Sequence, residues 1–336
     1  MRAAIRAIAV HLPQRILGNE ELAREFPDWT PTRIEAKTGI AERRIAAEEE
    51  TAADLGVAAA ARLFASGACR PDDVDFLLFC TQSPDYHLPT SACVMQHRLG
   101  IPTSAGALDF NLGCSGYVYG LSLAGGLIAS GQAQNVLLVT ADTYSKFMHP
   151  GDKSVRTLFG DAAAATLVSA SRQESLGPFV FGTDGSGAAN LIVEGGCARK
   201  PQPSTEVTWD EHGNPKGEGS LFMNGPEIFA FTQNTVPRSV DALLSRAGRS
   251  LADVDLFVFH QANLYMMEFL RQKIGIPREK FVISLKMTGN TVGSSIPLAL
   301  RQSIDDGTLR DGMQVMLVGF GVGYSWGSAL LRWQSS

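Results

Sequence analysis

Asp73-Val74-Asp75-Phe76-Leu77-Leu78-Phe79-Cys80 in the first half of the chain is echoed by Asp253-Val254-Asp255-Leu256-Phe257-Val258-Phe259-His260 in the second. The echo continues outward from this stretch. Leu99-Gly100-Ile101-Pro102 returns as Ile274-Gly275-Ile276-Pro277, and Gly113-Cys114-Ser115 falls level with Gly289-Asn290-Thr291. Asn135-Val136-Leu137-Leu138-Val139 matches Gln314-Val315-Met316-Leu317-Val318. A duplicated fold keeps its apolar frame for packing. Polar residues at matched frame positions therefore need another reason, and Cys114, His260 and Asn290 are the three that stand out.

Strand-like runs at 73–80, 105–111, 135–140 and 163–169, then at 254–259, 281–285, 314–319 and 327–333, alternate with helix-like ones. That alternation predicts parallel pairing and an α/β architecture. Thr51 precedes an Ala-rich helical stretch over 50–67, and residues 226–247, with Pro226 near the start, read as its partner in the second half. Ser115–Ser130 is apolar or small all round, which predicts a buried helix. Val292–Ile304 matches it, with Pro297 expected in the first turn. Two central helices packed between two sheets is the simplest architecture that buries both. The halves divide at 1–172 and 173–336 within one globule, and the polar stretch 195–220 reads as a surface loop.

The chain has 336 residues, 45% apolar and 19% charged, with a net charge of −5. This is the composition of a globular protein, and it argues against a nucleic-acid binder. No apolar run reaches membrane-spanning length, so no membrane partner is expected. Five scattered cysteines form neither a CxxC pair nor a zinc-spaced cluster; no metal is expected, and reduced thiols in a cytoplasm fit best. Met1–Val10 reads as a first strand ending at Pro13, not as a signal peptide.

A lone cysteine is ordinarily a small core residue. Here the strand Ala107–Asn111 runs through Leu112-Gly113 into Cys114, and the buried helix begins there. Unpaired N–H groups and the positive helix end favour thiolate, which reads Cys114 as a nucleophile. His260 closes an apolar strand at the edge where α/β proteins gather ligands, although a loop His bonded to backbone has the same local pattern. Asn290 alone would pass for a helix cap. The loop Gly319-Phe320-Gly321-Val322-Gly323-Tyr324 joins two strands and is no dinucleotide fingerprint; such a loop can expose N–H groups to an oxyanion.

At these residues the chain resembles the β-ketoacyl-acyl carrier protein synthase III family of the thiolase superfamily. The likeness covers Lys37–Arg43, Asn111–Gly116, Phe159-Gly160-Asp161, His260-Gln261-Ala262-Asn263, Gly289-Asn290-Thr291 and Gly319–Leu330. It implies a five-layered αβαβα fold, a homodimer, no cofactor, and a Cys114–His260–Asn290 triad. It also implies acyl transfer from an acyl thioester, usually acyl-CoA, to Cys114, then decarboxylative condensation with malonyl on an acyl carrier protein. Backbone N–H groups of Cys114 and Val322 would hold the oxyanion, and Phe320 would flank the two substrate halves. Recognition positions depart from the family pattern. Arg33 and Lys37 stand where a Trp and an Arg usually sandwich adenine, and Lys153 replaces a second arginine. Tyr265 replaces an arginine that the family uses in carrier-protein docking, Ala230 replaces a lysine in the helix near 226–236, and Leu88 matches an aromatic that enters the neighbouring subunit's acyl pocket. Lys for Arg loses bidentate phosphate contacts. A specialised paralogue with a primer other than acetyl-CoA is therefore expected. Three other readings share the fold: an acyltransferase passing the Cys114 acyl group to a hydroxyl or amine, a non-catalytic subunit, and a hydroxymethylglutaryl-type synthase. The last lacks an obvious matching Glu in residues 76–92.

Overall fold

Strand residues of the repeated segments alternate strictly between two buried faces. In Phe76–Cys80, Leu77 and Phe79 face one apolar cluster while Leu78 faces another; in Leu256–Phe259, Phe257 and Phe259 face outward and Leu256 and Val258 inward. Burial on both faces is why these strands read as continuous apolar runs. The computed structural model describes residues 2–210 and 213–334; Met1, Glu211, His212, Ser335 and Ser336 lie outside the described residues.

The first sheet orders Ala3–His11, Ala162–Ala170, Asn135–Asp142, Phe76–Cys80 and Gly106–Phe110, with the last three parallel. The second orders Leu176–Thr183, Ser325–Arg332, Gln314–Gly321 and Leu256–Phe259, and its last pair is parallel. Four strands of the first sheet are matched in the second by the same path; the fifth, Gly106–Phe110, has no strand counterpart. The repeated Asp-Val-Asp supports this path in each half. Asp73 and Asp253 accept from the N–H groups of Arg70 and Ser250, while Asp75 and Asp255 accept from those of Asn135 and Gln314, the first residues of the next paired strand.

Helix Gly116–Ala129 packs against strands of both sheets, as does Ser295–Asp305, whose Pro297 falls in the first turn. The core between the sheets joins Leu78, Leu138, Val258 and Leu317 to Tyr117, Leu121, Ile296 and Ala299 from these helices. Ala52–Ala65 covers the outer face of the first sheet and Gly225–Ala247 that of the second, completing five layers. Ala52–Ala65 starts at a capping box between Thr51 and Asp54. Among the described residues no helix is long and apolar enough to cross a membrane.

Three expectations need correction. Residues 281–285 form no strand: Phe281 makes one parallel bridge to Phe257, and then the Gln261 side chain takes over. Its amide donates to Val282 O at 3.3 Å and its carbonyl accepts from Ser284 N at 2.8 Å, so a side chain replaces the ladder. Helix Gly116–Ala129 is not buried all round, since Leu123 is 46% exposed. The stretch 195–220 includes a hairpin, Val207–Trp209 with Pro215–Gly217, and part of it walls a cavity.

Candidate active site

The duplication brings two matched turns together. Strand Gly106–Phe110 leads through Asn111–Gly113 to Cys114, two residues before its central helix, and the loop holding Asn290 leads likewise into the other central helix. His260 follows directly on Leu256–Phe259, and its backbone N–H donates to Val318 O at 2.8 Å, carrying the parallel ladder one step further. Cys114, His260 and Asn290 all line one small cavity of about 50 Å³, with Phe320 and Gly321. Cys114 is 5% exposed, His260 2% and Asn290 5%.

Each group is held by its neighbours. A Cβ on Gly321 would sit 3.0 Å from both Cβ and Sγ of Cys114, so only glycine lets the strand end lie against the thiol. Ser295 Oγ lies 2.7 Å from His260 Nδ1, and the Phe320 ring meets the imidazole edge-on at 5.5 Å. The Asn290 backbone is pinned on both sides: its N–H donates to Leu158 O at 2.9 Å, and its carbonyl accepts from Gly160 N at 3.0 Å. Its Oδ1 accepts from Val292 N at 2.9 Å, so the amide NH₂ is the end left for a ligand. Val292 itself holds φ +51°, the one positive value at a non-glycine among the described residues, and a strained conformation for a β-branched residue.

Burial keeps this site neutral. It pushes the His260 imidazole down to about 3, against a hydrogen bond with the Val292 backbone that works the other way. It pushes the Cys114 thiol up to about 12, with buried Asp142 adding to the rise and the residue's own N–H opposing it. The thiolate-favouring helix end expected from the sequence is thus outweighed by desolvation. Cys114 alkylation by iodoacetamide, followed by peptide mass, is expected to rise about tenfold per pH unit across pH 7–10. A plateau below about pH 8.5 would show that the helix end wins.

Of the remaining candidates only Phe320 lines the small cavity. Phe320 is buried against His260 as placed, and Val322 forms the turn beside Gly321, its side chain packed in the same cluster as Cys114. Arg33 and Lys37 lie 5.3 and 4.7 Å from the ring centre of Trp29, an aromatic the sequence reading missed because it sits four residues before Arg33. Lys153 opens the short helix Lys153–Arg156. Tyr265, 65% exposed, leans on Phe229 with the ring centres 5.6 Å apart and the planes tilted by 33°. Leu88 is 83% exposed and lines a larger cavity of its own chain, about 710 Å³, which adjoins the small one at Leu191. Ser295 and Val292 also went unseen in the sequence; small and apolar residues around a helix start carry no distinguishing pattern.

Five layers built by duplication, with a buried thiol, imidazole and carboxamide on one cavity, define a thiolase-fold acyltransferase. Two family patterns match the chain: 3-oxoacyl-[acyl-carrier-protein (ACP)] synthase III over residues 108–185, and its C-terminal counterpart over 244–333. A "Beta-ketoacyl-[acyl-carrier-protein] synthase III 2" of Halalkalibacterium halodurans is 38% identical over 99% of this chain and 97% of that protein. A crystal structure of a 3-oxoacyl-(acyl-carrier-protein) synthase III superposes with a TM-score of 0.98 at 57% identity, covering 99% of this chain and 100% of the other. One from Burkholderia xenovorans LB400 gives 0.91 at 37% identity, over 99% and 95%. The chain belongs to the 3-oxoacyl-[acyl-carrier-protein] synthase III family of condensing enzymes.

Proposed function

We propose that Cys114, His260 and Asn290 together perform a two-stage condensation: acyl transfer from an acyl thioester, then decarboxylative addition of malonyl carried on an acyl carrier protein. The observation that carries this reading is that all three line one buried cavity at matched ends of the two halves. In the first stage Cys114 sulfur adds to the thioester carbonyl, and the N–H groups of Cys114 and Val322 receive the oxyanion. The carrier thiolate then leaves and takes up the proton that Cys114 gave up. In the second stage the bond between the malonyl carboxylate and its α-carbon breaks, releasing carbon dioxide. Its electron pair moves onto the thioester oxygen as an enolate, beside the Asn290 NH₂ and the His260 ring N–H.

That stage needs a neutral imidazole that donates, and a His held down to about 3 is neutral at physiological pH. The scheme requires the ring proton on Nε2, with Nδ1 accepting from the Ser295 hydroxyl 2.7 Å away. The α-carbon then adds to the acyl-Cys114 carbonyl, the C–S bond breaks, a 3-oxoacyl thioester leaves, and the Cys114 thiolate takes a proton from solvent to restore the thiol. The enolate donors favour this over simple acyl transfer to a hydroxyl or amine, which has no enolate to hold. Release of labelled carbon dioxide from malonyl-acyl carrier protein, dependent on prior acylation, tests the choice; acyl transfer without release would support the simpler reaction.

Donor recognition on this reading falls to Arg33 and Lys37 beside Trp29 and to Lys153, and carrier-protein docking to the surface around Tyr265. A primer other than acetyl-CoA follows, and it is tested by comparing acylation by acetyl, longer acyl and carrier-bound donors; clear preference for acetyl-CoA would contradict it. No cofactor takes part in this scheme. Five free cysteines suit a reducing compartment, and we place the enzyme in the cytoplasm.

The active form on this reading is a homodimer. Gly106–Phe110 is an edge strand with Leu108 39% exposed, while Leu123 and Phe181, the latter 4.5 Å from the Tyr119 ring, leave an exposed apolar patch. Sedimentation velocity should give a dimer for the wild type and a shift to monomer for Leu123→Asp. A monomeric wild type would remove this part of the proposal.

A further inference from the structure

The larger cavity, about 710 Å³, is walled mainly by apolar side chains such as Phe147, Leu221 and Val322, with a polar strip at Gln82, Asn111 and Tyr144. Tyr144 packs in the same buried cluster as Cys114, and its hydroxyl donates to Gln82 Oε1. Gln82 Nε2 donates in turn to Asn111 Oδ1 at 3.0 Å. This chain of groups lies against the nucleophile turn itself. A Cβ on Gly113 would meet Gln82 Oε1 at 2.5 Å, so the glycine before Cys114 is what admits the amide. Beyond the bonds they make with each other, the Tyr144 oxygen keeps acceptor capacity, Gln82 a second amide hydrogen and Asn111 a carboxamide NH₂.

A hydrocarbon chain laid along this wall would strip water from those groups and give nothing back, which is how a polar pocket rejects an apolar analogue. Among the described residues no Lys or Arg lines the cavity while Asp85 does, so a carboxylate on the chain is disfavoured as well. We infer that the primer is an acyl thioester whose chain bears a neutral hydrogen-bonding group, a hydroxyacyl thioester being the class that fits. The inference rests on the reading that Cys114 is acylated. The transfer is balanced: the new Cys114 S–C(O) bond forms as the carrier S–C(O) bond breaks, and the thiol proton passes to the leaving thiolate.

The test loads the full-length enzyme with butanoyl-CoA and with 3-hydroxybutanoyl-CoA at equal concentration, both enantiomers in turn, and reads initial rates from the mass of the Cys114 peptide. One hydrogen bond gained by the hydroxyl predicts a preference of about tenfold for one enantiomer of the hydroxyacyl donor over butanoyl. Gln82→Leu and Tyr144→Phe should each bring that ratio to within about twofold of unity. Equal or faster loading of butanoyl by the wild type overturns the inference while leaving acylation of Cys114 standing, and an unchanged ratio in both variants removes the assigned residues. No loading by any thioester overturns the functional reading, and this inference with it. The wild-type comparison decides the substrate class even if a variant fails to fold.

Discussion

Cys114→Ala eliminates acyl loading. On the proposed mechanism the sulfur is the atom that bonds to the acyl carbon, and nothing else on the small cavity can substitute: its other polar side chains are His260, Asn290 and Asn263. A loss of at least about 10⁴-fold is expected in single-turnover acylation, the scale seen when a nucleophile is removed. The thiol is small and its site already tight, so the fold should survive, with stability lowered by about 1 kcal/mol. Peptide mass after incubation with acyl thioesters measures the loading, and thermal unfolding checks the fold. Acyl label arriving on another residue of the variant would move the nucleophile elsewhere.

His260→Ala and Asn290→Asp separate the two stages. On the proposed mechanism each removes a donor to the developing enolate oxygen, and loss of one such donor costs about 10²–10³-fold. Asn290→Asp is the sharper change, because a nearly isosteric acceptor replaces the NH₂ and brings a charge into a site only 5% exposed. Acylation of Cys114 is proposed to use backbone N–H groups instead, so loading should stay within about tenfold of wild type in both variants. Because the two donors serve one oxygen, the double variant should lose little more than the worse single one. Carbon dioxide release and Cys114 loading, measured on the same preparations, give the comparison. Equal losses in both assays would mean that His260 and Asn290 serve the thiol and not the enolate.

Much of this was legible because a duplicated fold repeats its constraints. The Asp-Val-Asp pairs recur because each half needs the same two turns closed by carboxylates, and the apolar strands recur because both faces of each sheet are covered. Deviation from the repeat then pointed to Cys114, His260 and Asn290. What stayed hidden depends on side chains reaching across the fold. Leu176–Thr183 escaped notice because Gly177, Pro178 and Gly182 break its strand pattern, although it pairs with Ser325–Arg332. Gln261 substitutes for a strand ladder, which no periodicity reports. The Tyr144–Gln82–Asn111 chain joins three separate segments, and Trp29 lies outside the positions where an adenine partner was sought. The sign of the Cys114 shift also eluded the sequence, since local helix geometry is visible there and depth of burial is not.

The most direct measurement follows one acyl group. Enzyme acylated stoichiometrically on Cys114 is freed of donor and mixed with malonyl-acyl carrier protein, and the Cys114 peptide, carbon dioxide and carrier-bound product are followed together. The account predicts that Cys114 returns to free thiol at the rate carbon dioxide appears, with a 3-oxoacyl chain on the carrier. An acyl group that stays on Cys114, or leaves as free acid or as a simple ester or amide without carbon dioxide, would contradict it.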